Sequence, residues 1–171
     1  MKMVAVKAIN TARLLAVLVL GLLTGAINSH AQTVLTITGE VAKPLTLQTT
    51  DLAAMTHTDV TARDKDGQER RYGGIPLADL LKQAGVTLGS ELRGKNLMKF
   101  VVIRAADGYE VLFALAELDP EFTIRTILLA DSVDGTPLPQ GVGPYRVVVP
   151  GEKKPARWIR DVTAIEVRWA K

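Results

Sequence analysis

The stretch GPYRVVVPGEKKPARWI, residues 143–159, says more about the fold than any other part of the chain. An apolar strand pattern over residues 146–150 leads through Pro-Gly into a basic loop that closes on Trp158. Lys154 and Arg157 stand three residues apart in this loop, near enough to converge on one oxyanion if the loop turns helically. The alternative is a solvated charged loop with Trp158 as its core anchor.

Outward from this stretch, short apolar runs and turn residues alternate along the whole chain. Strands are predicted at residues 34–41, 45–47, 57–63, 69–72, 98–105, 109–113, 126–130, 146–150 and 162–169. Short helices are predicted at residues 50–55, 76–84 and 114–118, with Gly73-Gly74 breaking the chain before the second of them. Because hairpins outnumber helices, the order predicts an α+β fold of mixed β-sheets rather than a doubly wound parallel sheet.

The N-terminus has the pattern of a secretory signal peptide. Three basic residues and no acidic one stand at or before position 13, an apolar run covers 14–26, and small residues end at Ala31. The uncharged run approaches the roughly 18–20 residues that a membrane span needs, but its second half is polar, which favours cleavage over anchoring. We expect a signal peptide at 1–31, a single domain at 32–171 with no stable membrane span, and a periplasmic location.

The charge balance of the domain argues against a polyanionic partner. The chain has 21 Lys and Arg against 18 Asp and Glu, and removal of the three basic leader residues leaves 18 of each. The domain is therefore formally neutral, and we expect no nucleic acid as partner.

The residues of the domain also exclude several kinds of catalytic site. There is no cysteine, so disulfides and thiolate metal sites are impossible. Neither Ser90 nor Ser132 lies in a nucleophile elbow. His57 is the domain's one histidine, and a lone histidine in a strand is more often structural than a ligand. We therefore expect no protein metal site.

Several short motifs stand in a distinctive order along the domain. They are GEV at 39–41 with PLTL at 44–47, GIPL at 74–77 with LL at 80–81, ADGY at 106–109, LLA at 128–130 with DGTPL at 134–138, GPYRVVVPG at 143–151, and RWI at 157–159. In this order they resemble the molybdopterin-binding domain of the sulfite oxidase family, in a small exported form. The resemblance spans nearly the whole domain and implies an α+β fold of mixed sheets with a few short helices.

The resemblance also implies positions for a cofactor site. It places Lys154 and Arg157 beside the phosphate of a pterin cofactor and makes Asp107 and Tyr109 candidate pocket residues. The alternative for the latter two is a hairpin turn followed by a cross-strand aromatic residue.

Two departures from the family argue against a working molybdenum centre. Catalytic members bind the metal through a cysteine thiolate near the position of residues 60–63, and this chain has no cysteine. Exported molybdoenzymes cross the membrane folded and need a twin-arginine signal, whereas Arg13 is the leader's one arginine.

We therefore expect a degenerate, non-catalytic molybdopterin-binding-like domain that binds a small anion, a pterin or a periplasmic protein. No resident cofactor is expected, although the resemblance allows molybdopterin. The alternative is a molybdopterin-dependent oxidoreductase that holds the metal without a cysteine, so enzymatic activity stays open. A domain that only supports a protein partner is a third possibility.

Overall fold

Two β-sheets, the first mixed and the second antiparallel, carry the fold, and a computed structural model describes them for residues 33–170. The strands are β1 (Thr33–Gly39), β2 (Leu45–Gln48), β3 (Thr58–Arg63), β4 (Glu69–Pro76), β5 (Lys99–Ala105), β6 (Glu110–Ala114), β7 (Leu128–Val133), β8 (Thr136–Pro137), β9 (Arg146–Val148) and β10 (Val162–Trp169). The helices are α1 (Thr49–Ala53), α2 (Leu77–Gln83) and α3 (Leu115–Leu118), with 3-10 turns at Gly89–Glu91, Gly94–Met98 and Pro155–Arg157. The predicted α+β class is confirmed.

The first sheet has the strand order β2-β1-β10-β5-β6. The apolar residues of β1 alternate as the sequence predicts, and six side chains of the sheet are fully buried: Leu35, Ile37, Val101, Ile103, Ile165 and Val167. β1 and β10 pair in parallel, with Thr36 opposite Ala164. The two ends of the domain therefore meet in the middle of one sheet.

The second sheet has the order β3-β4-β7-β8, and β9 pairs with the first half of β7. β4 runs through Gly73 and Gly74, where the sequence predicts a break. A Cβ at Gly74 would lie 2.3 Å from the carbonyl oxygen of Leu129, so glycine is what allows β7 to approach this closely. The register between β4 and β7 shifts at this point and leaves Asp131 as the extra residue of a β-bulge.

The short helices cover the sheets. α2 begins at Leu77, one residue after Pro76, and its predicted apolar stripe is confirmed because Leu77, Leu80 and Leu81 are buried. Within the described range, no helix is both long and apolar enough to cross a membrane. The predicted signal peptide at 1–31 lies outside the described residues.

Candidate functional site

A cleft opens where the β5–β6 turn meets the segment that leads into β10. Its volume is about 570 Å³, inside the range of roughly 300–1,000 Å³ typical of small-molecule sites. Its lining residues come from three segments: Ala105, Ala106, Asp107 and Tyr109 from the turn, Gly141 from the loop before β9, and Trp158, Ile159, Arg160 and Asp161 from the loop before β10. The predicted pocket residues Asp107 and Tyr109 thus lie in one cleft.

Hydrogen bonds hold the turn side of the cleft in place. The N–H of Tyr109 donates to Asp107 Oδ1 over 2.9 Å, which closes the predicted Asp-Gly turn. The Tyr109 hydroxyl donates to the carbonyl oxygen of Ala156 over 3.2 Å and so ties the turn to the basic loop. The side chain of Tyr109 still remains half exposed. The predicted turn is therefore formed and both residues line the cleft, while their role toward a cofactor stays a prediction.

The opposite wall carries Asp161, which no pattern in the sequence singles out. Its backbone has φ +45°, a left-handed conformation that favours glycine, asparagine or aspartate. Its carbonyl oxygen accepts the N–H of Ala106 over 2.9 Å, which joins the two walls. Asp161 and Arg160 line the cleft, so its charged side chains are two carboxylates, counting Asp107, and one guanidinium.

Arg157 points away from this cleft, into a cluster of carboxylates. Its Nε donates to Glu152 Oε1 over 2.8 Å, and Nη2 donates to Glu117 Oε1 over 3.2 Å. Nη1 donates to the carbonyl oxygen of Leu112 over 3.2 Å, and the guanidinium lies 4.3 Å from the ring centre of Phe113. These partners accept hydrogen bonds from the guanidinium N–H groups of Arg157, so few donors remain to bind an anion.

Lys154 lies at the surface beside this cluster. It is exposed, and within residues 33–170 its amino group makes no hydrogen bond or ion pair with another side chain. It precedes a 3-10 turn, Pro155–Arg157, whose last residue is Arg157. The loop therefore turns helically, as convergence on an anion requires, but the two cations have different surroundings.

A second cluster lies in the core, behind Trp158. The buried guanidinium of Arg146 donates from Nη1 to Asp64 Oδ2 over 3.1 Å, and the hydroxyl of Tyr72 donates to the same oxygen over 3.0 Å. The guanidinium carbon lies 5.7 Å and 5.2 Å from the ring centres of Tyr72 and Trp158. From the sequence, Asp64 is recognisable only as a turn residue. Its ion-pair partner Arg146 follows 82 positions later, so no local pattern connects the two.

Burial opposes ionisation of Asp64. The N–H of Lys65 and the positive charge of Arg146 outweigh this effect, so the pKa of Asp64 lies below its ordinary value. The carboxylate is therefore charged at neutral pH and compensates the buried cation.

His57 forms a third polar contact, between the α1–β3 loop and the bulge of β7. Its Nε2 lies 2.9 Å from Asp131 Oδ2, and its Nδ1 lies 2.9 Å from the carbonyl oxygen of Met55. Both partners are acceptors, so both ring nitrogens must carry a proton for both hydrogen bonds to form. The buried phenol of Tyr145 is also near Asp131, and its pKa is raised by burial and by the charge of Asp131.

A pH dependence of stability follows from this contact. Burial lowers the pKa of His57, but the hydrogen bonds to Asp131 and Met55 and the charge of Asp131 outweigh burial and leave the pKa raised. The contribution of His57 to the free energy of unfolding should therefore be full below its unfolded pKa of about 6.5 and should disappear as the pH rises through the folded value.

We expect the difference in urea midpoint between the protein and its His57→Gln variant to shrink from about pH 5 to pH 8. A difference that stays constant over this range would show that His57 does not carry the proton.

Comparisons with known proteins place the chain in a family. The family described as "Oxidoreductase molybdopterin binding domain" matches residues 24–170. The chain belongs to this family. The chain is also similar in structure to the sulfane dehydrogenase SoxCD from Paracoccus pantotrophus, with a TM-score of 0.62 at 24% sequence identity. At this identity the likeness shows the fold alone.

The coverage of that comparison is uneven. The match includes 78% of this chain but 37% of the SoxCD chain, so this family member spans little more than a third of its relative's length. A search among curated proteins finds no match.

The residues of this family member do not fit a molybdenum cofactor bound in the way that the resemblance implies. At residues 60–63, where the thiolate is expected, Ala62 is buried in the core and Thr61 and Arg63 are exposed on an edge strand. Within residues 33–170, no group of three or more His, Asp or Glu residues could hold a metal ion. For the phosphate, Arg157 is already paired with two carboxylates. The chain thus lacks the thiolate ligand, and its Arg157 is already engaged by carboxylates.

Proposed function

We propose that this chain is a non-catalytic, periplasmic binding module of the molybdopterin-binding family. Its ligand is a small planar heterocycle rich in N–H groups, of the pterin type, held without a metal. The observation that carries this proposal is the lining of the cleft, where Asp107 and Asp161 accompany the half-exposed ring of Tyr109.

The chemistry of the lining favours a ring over a small anion. Ionised carboxylates only accept hydrogen bonds, and one carboxylate can accept two parallel N–H groups. The amino group and the adjacent ring N–H of a pterin form such a pair, and Tyr109 offers an aromatic surface for stacking. Two carboxylates against Arg160 disfavour a small anion in the same place.

The periplasmic location rests on the leader. The leader contains basic residues, an apolar run and a small-residue cleavage pattern. The domain that follows has no cysteines, so an oxidising compartment cannot form disulfides in it. A general secretory signal exports an unfolded chain, and a ligand taken up after export suits an open cleft.

The second candidate is an oxidoreductase that holds a molybdopterin metal without a cysteine. Membership of the family favours it, and Asp107 and Tyr109 would then border the cofactor. This candidate requires bound molybdenum, whereas the binding module does not.

Removal of the cleft carboxylates tests the proposal. The double variant Asp107→Asn, Asp161→Asn should weaken binding of biopterin at least tenfold, because each charge-assisted hydrogen bond contributes about 1.5–3 kcal/mol. Asparagine keeps the acceptor for the N–H of Tyr109 and tolerates the left-handed backbone at position 161. Binding is measured by titration of pterin fluorescence.

Asp134→Asn is the matched control, because Asp134 also has a left-handed backbone, with φ +50°, but does not line the cleft. It should bind biopterin as the unaltered protein does. Absence of biopterin binding by the unaltered protein, or equal affinity in the double variant, would refute the site.

A further inference from the structure

The outer edge of β3 is a regular strand edge without a partner among the described residues. β3 is the terminal strand of its sheet and pairs with β4 alone over six consecutive positions, without a register shift. Asp64 donates its backbone N–H to Gln68 across the hairpin. Because antiparallel residues alternate in direction, Ala62 and Val60 also bond toward β4. Asp59, Thr61 and Arg63 therefore direct their backbone N–H and C=O groups outward.

Three other strands at sheet edges, β2, β6 and β8, are protected. On β6, the guanidinium of Arg157 takes the outward carbonyl of Leu112. β2 has four residues and meets a register shift in its ladder with β1, and β8 has two residues. Natural proteins protect exposed edges with charges, prolines, bulges or short strands. β3 is longer than these strands and contains no proline, glycine or bulge.

The charges on β3 are complementary to those of a second copy. In an antiparallel pair of two β3 strands centred on Thr61, Thr61 faces Thr61 of the second copy and Asp59 faces Arg63 of the second copy. This register matches all the outward backbone groups of one strand with those of the other. Registers centred on Asp59 or Arg63 would place like charges opposite each other, which is unfavourable. The contact of Asp59 with Arg71 of its own sheet is long, 3.9 Å, and exposed, so it leaves the carboxylate accessible.

We infer that two copies of this chain associate through β3 about a two-fold axis at Thr61 and join their second sheets into one continuous sheet. Each of the three outward residues exchanges both backbone hydrogen bonds with its counterpart. The side chains of Asp59 and Arg63 lie on the exposed face of the sheet, where the two opposite-charge pairs form. Such an isologous interface closes on itself and yields a dimer rather than a fibre.

Two single charge reversals test this inference. Asp59→Lys places an ammonium group opposite Arg63 of the second copy, and Arg63→Glu places a second carboxylate opposite Asp59 of the second copy. Each variant should therefore sediment as a monomer where the unaltered protein is a dimer. An equimolar mixture of the two variants should form a heterodimer, because both cross-strand pairs are again of opposite charge.

Glu91→Lys is the control, since it changes the charge by the same amount at an exposed 3-10 turn away from β3 and should remain dimeric. The measurement is sedimentation velocity across the micromolar range, with circular dichroism to verify that each variant is folded. A monomeric unaltered protein, dimeric single variants, or a mixture that stays monomeric would each overturn the inference. If one variant fails to fold, the other variant still tests the interface, and a monomeric unaltered protein overturns the inference without either of them.

Discussion

Asp64→Ala is expected to lower the free energy of unfolding by about 3–5 kcal/mol, since it leaves a buried cation without its partner. The side chains of Arg146 and Asp64 are 6% and 15% exposed, and the hydroxyl of Tyr72 loses its acceptor in the same variant. Urea denaturation followed by tryptophan fluorescence measures the loss directly, because Trp158 packs on the affected guanidinium.

Asp66→Ala is the matched control. Asp66 lies in the same hairpin and pairs with Arg70 at the surface, so its removal should have a much smaller effect. A loss at Asp64 no larger than that at Asp66 would contradict the assignment of a buried ion pair.

The same carboxylate predicts a specific dependence on pH. A group whose folded pKa is lowered contributes stability above its unfolded pKa, about 3.9 for aspartate, and loses it as the pH falls through the folded value. The stability difference between the protein and Asp64→Ala should therefore be constant near neutral pH and decrease in acid. Asp64→Asn should show the same acid behaviour relative to the unaltered protein, since it also lacks the charge.

Arg157→Ala should have the second largest effect, a loss of about 2–3 kcal/mol of unfolding free energy. The variant removes the cation that joins Glu152 to Glu117 and exposes the outward carbonyl of Leu112. Glu152 is 15% exposed and would remain without its partner. Arg157→Lys should recover only part of the loss, because an ammonium group cannot reproduce the planar fork of donors.

Lys154→Ala is the control for the basic loop and should change stability by no more than about 0.5 kcal/mol, as expected for an exposed side chain. If instead Arg157→Ala leaves stability unchanged and the Lys154→Ala, Arg157→Ala double variant loses phosphate binding, Arg157 is a ligand-binding residue and its assignment as a structural ion-pair residue is wrong.

Much of the fold follows from local patterns in the sequence. Alternating apolar residues predict β1, and apolar stretches predict β5 and β10. The turn residues Asp64–Gly67 and Asp107-Gly108 predict the β3–β4 and β5–β6 hairpins, because these signals depend on neighbours in the chain. The parallel pairing of β1 with β10 joins residues more than a hundred positions apart, and no local pattern encodes it. The continuation of β4 through Gly73-Gly74 is also missed, since the requirement for glycine comes from the close approach of β7.

The candidate site is predictable in part for the same reason. The motif order points to Asp107 and Tyr109, and both line the cleft. No sequence pattern identifies Asp161, because its role depends on its left-handed backbone conformation and on its position opposite the turn. The surroundings of Arg157 could not be predicted, because Glu117 lies 40 residues away along the chain.

Elemental analysis of the native protein, purified from the periplasm without refolding, tests the central claim most directly. For a metal-free binding module we expect molybdenum far below one atom per chain, together with saturable binding of added biopterin. One molybdenum atom per chain would contradict this function. Because the chain has no cysteine, the metal would then need a different protein ligand.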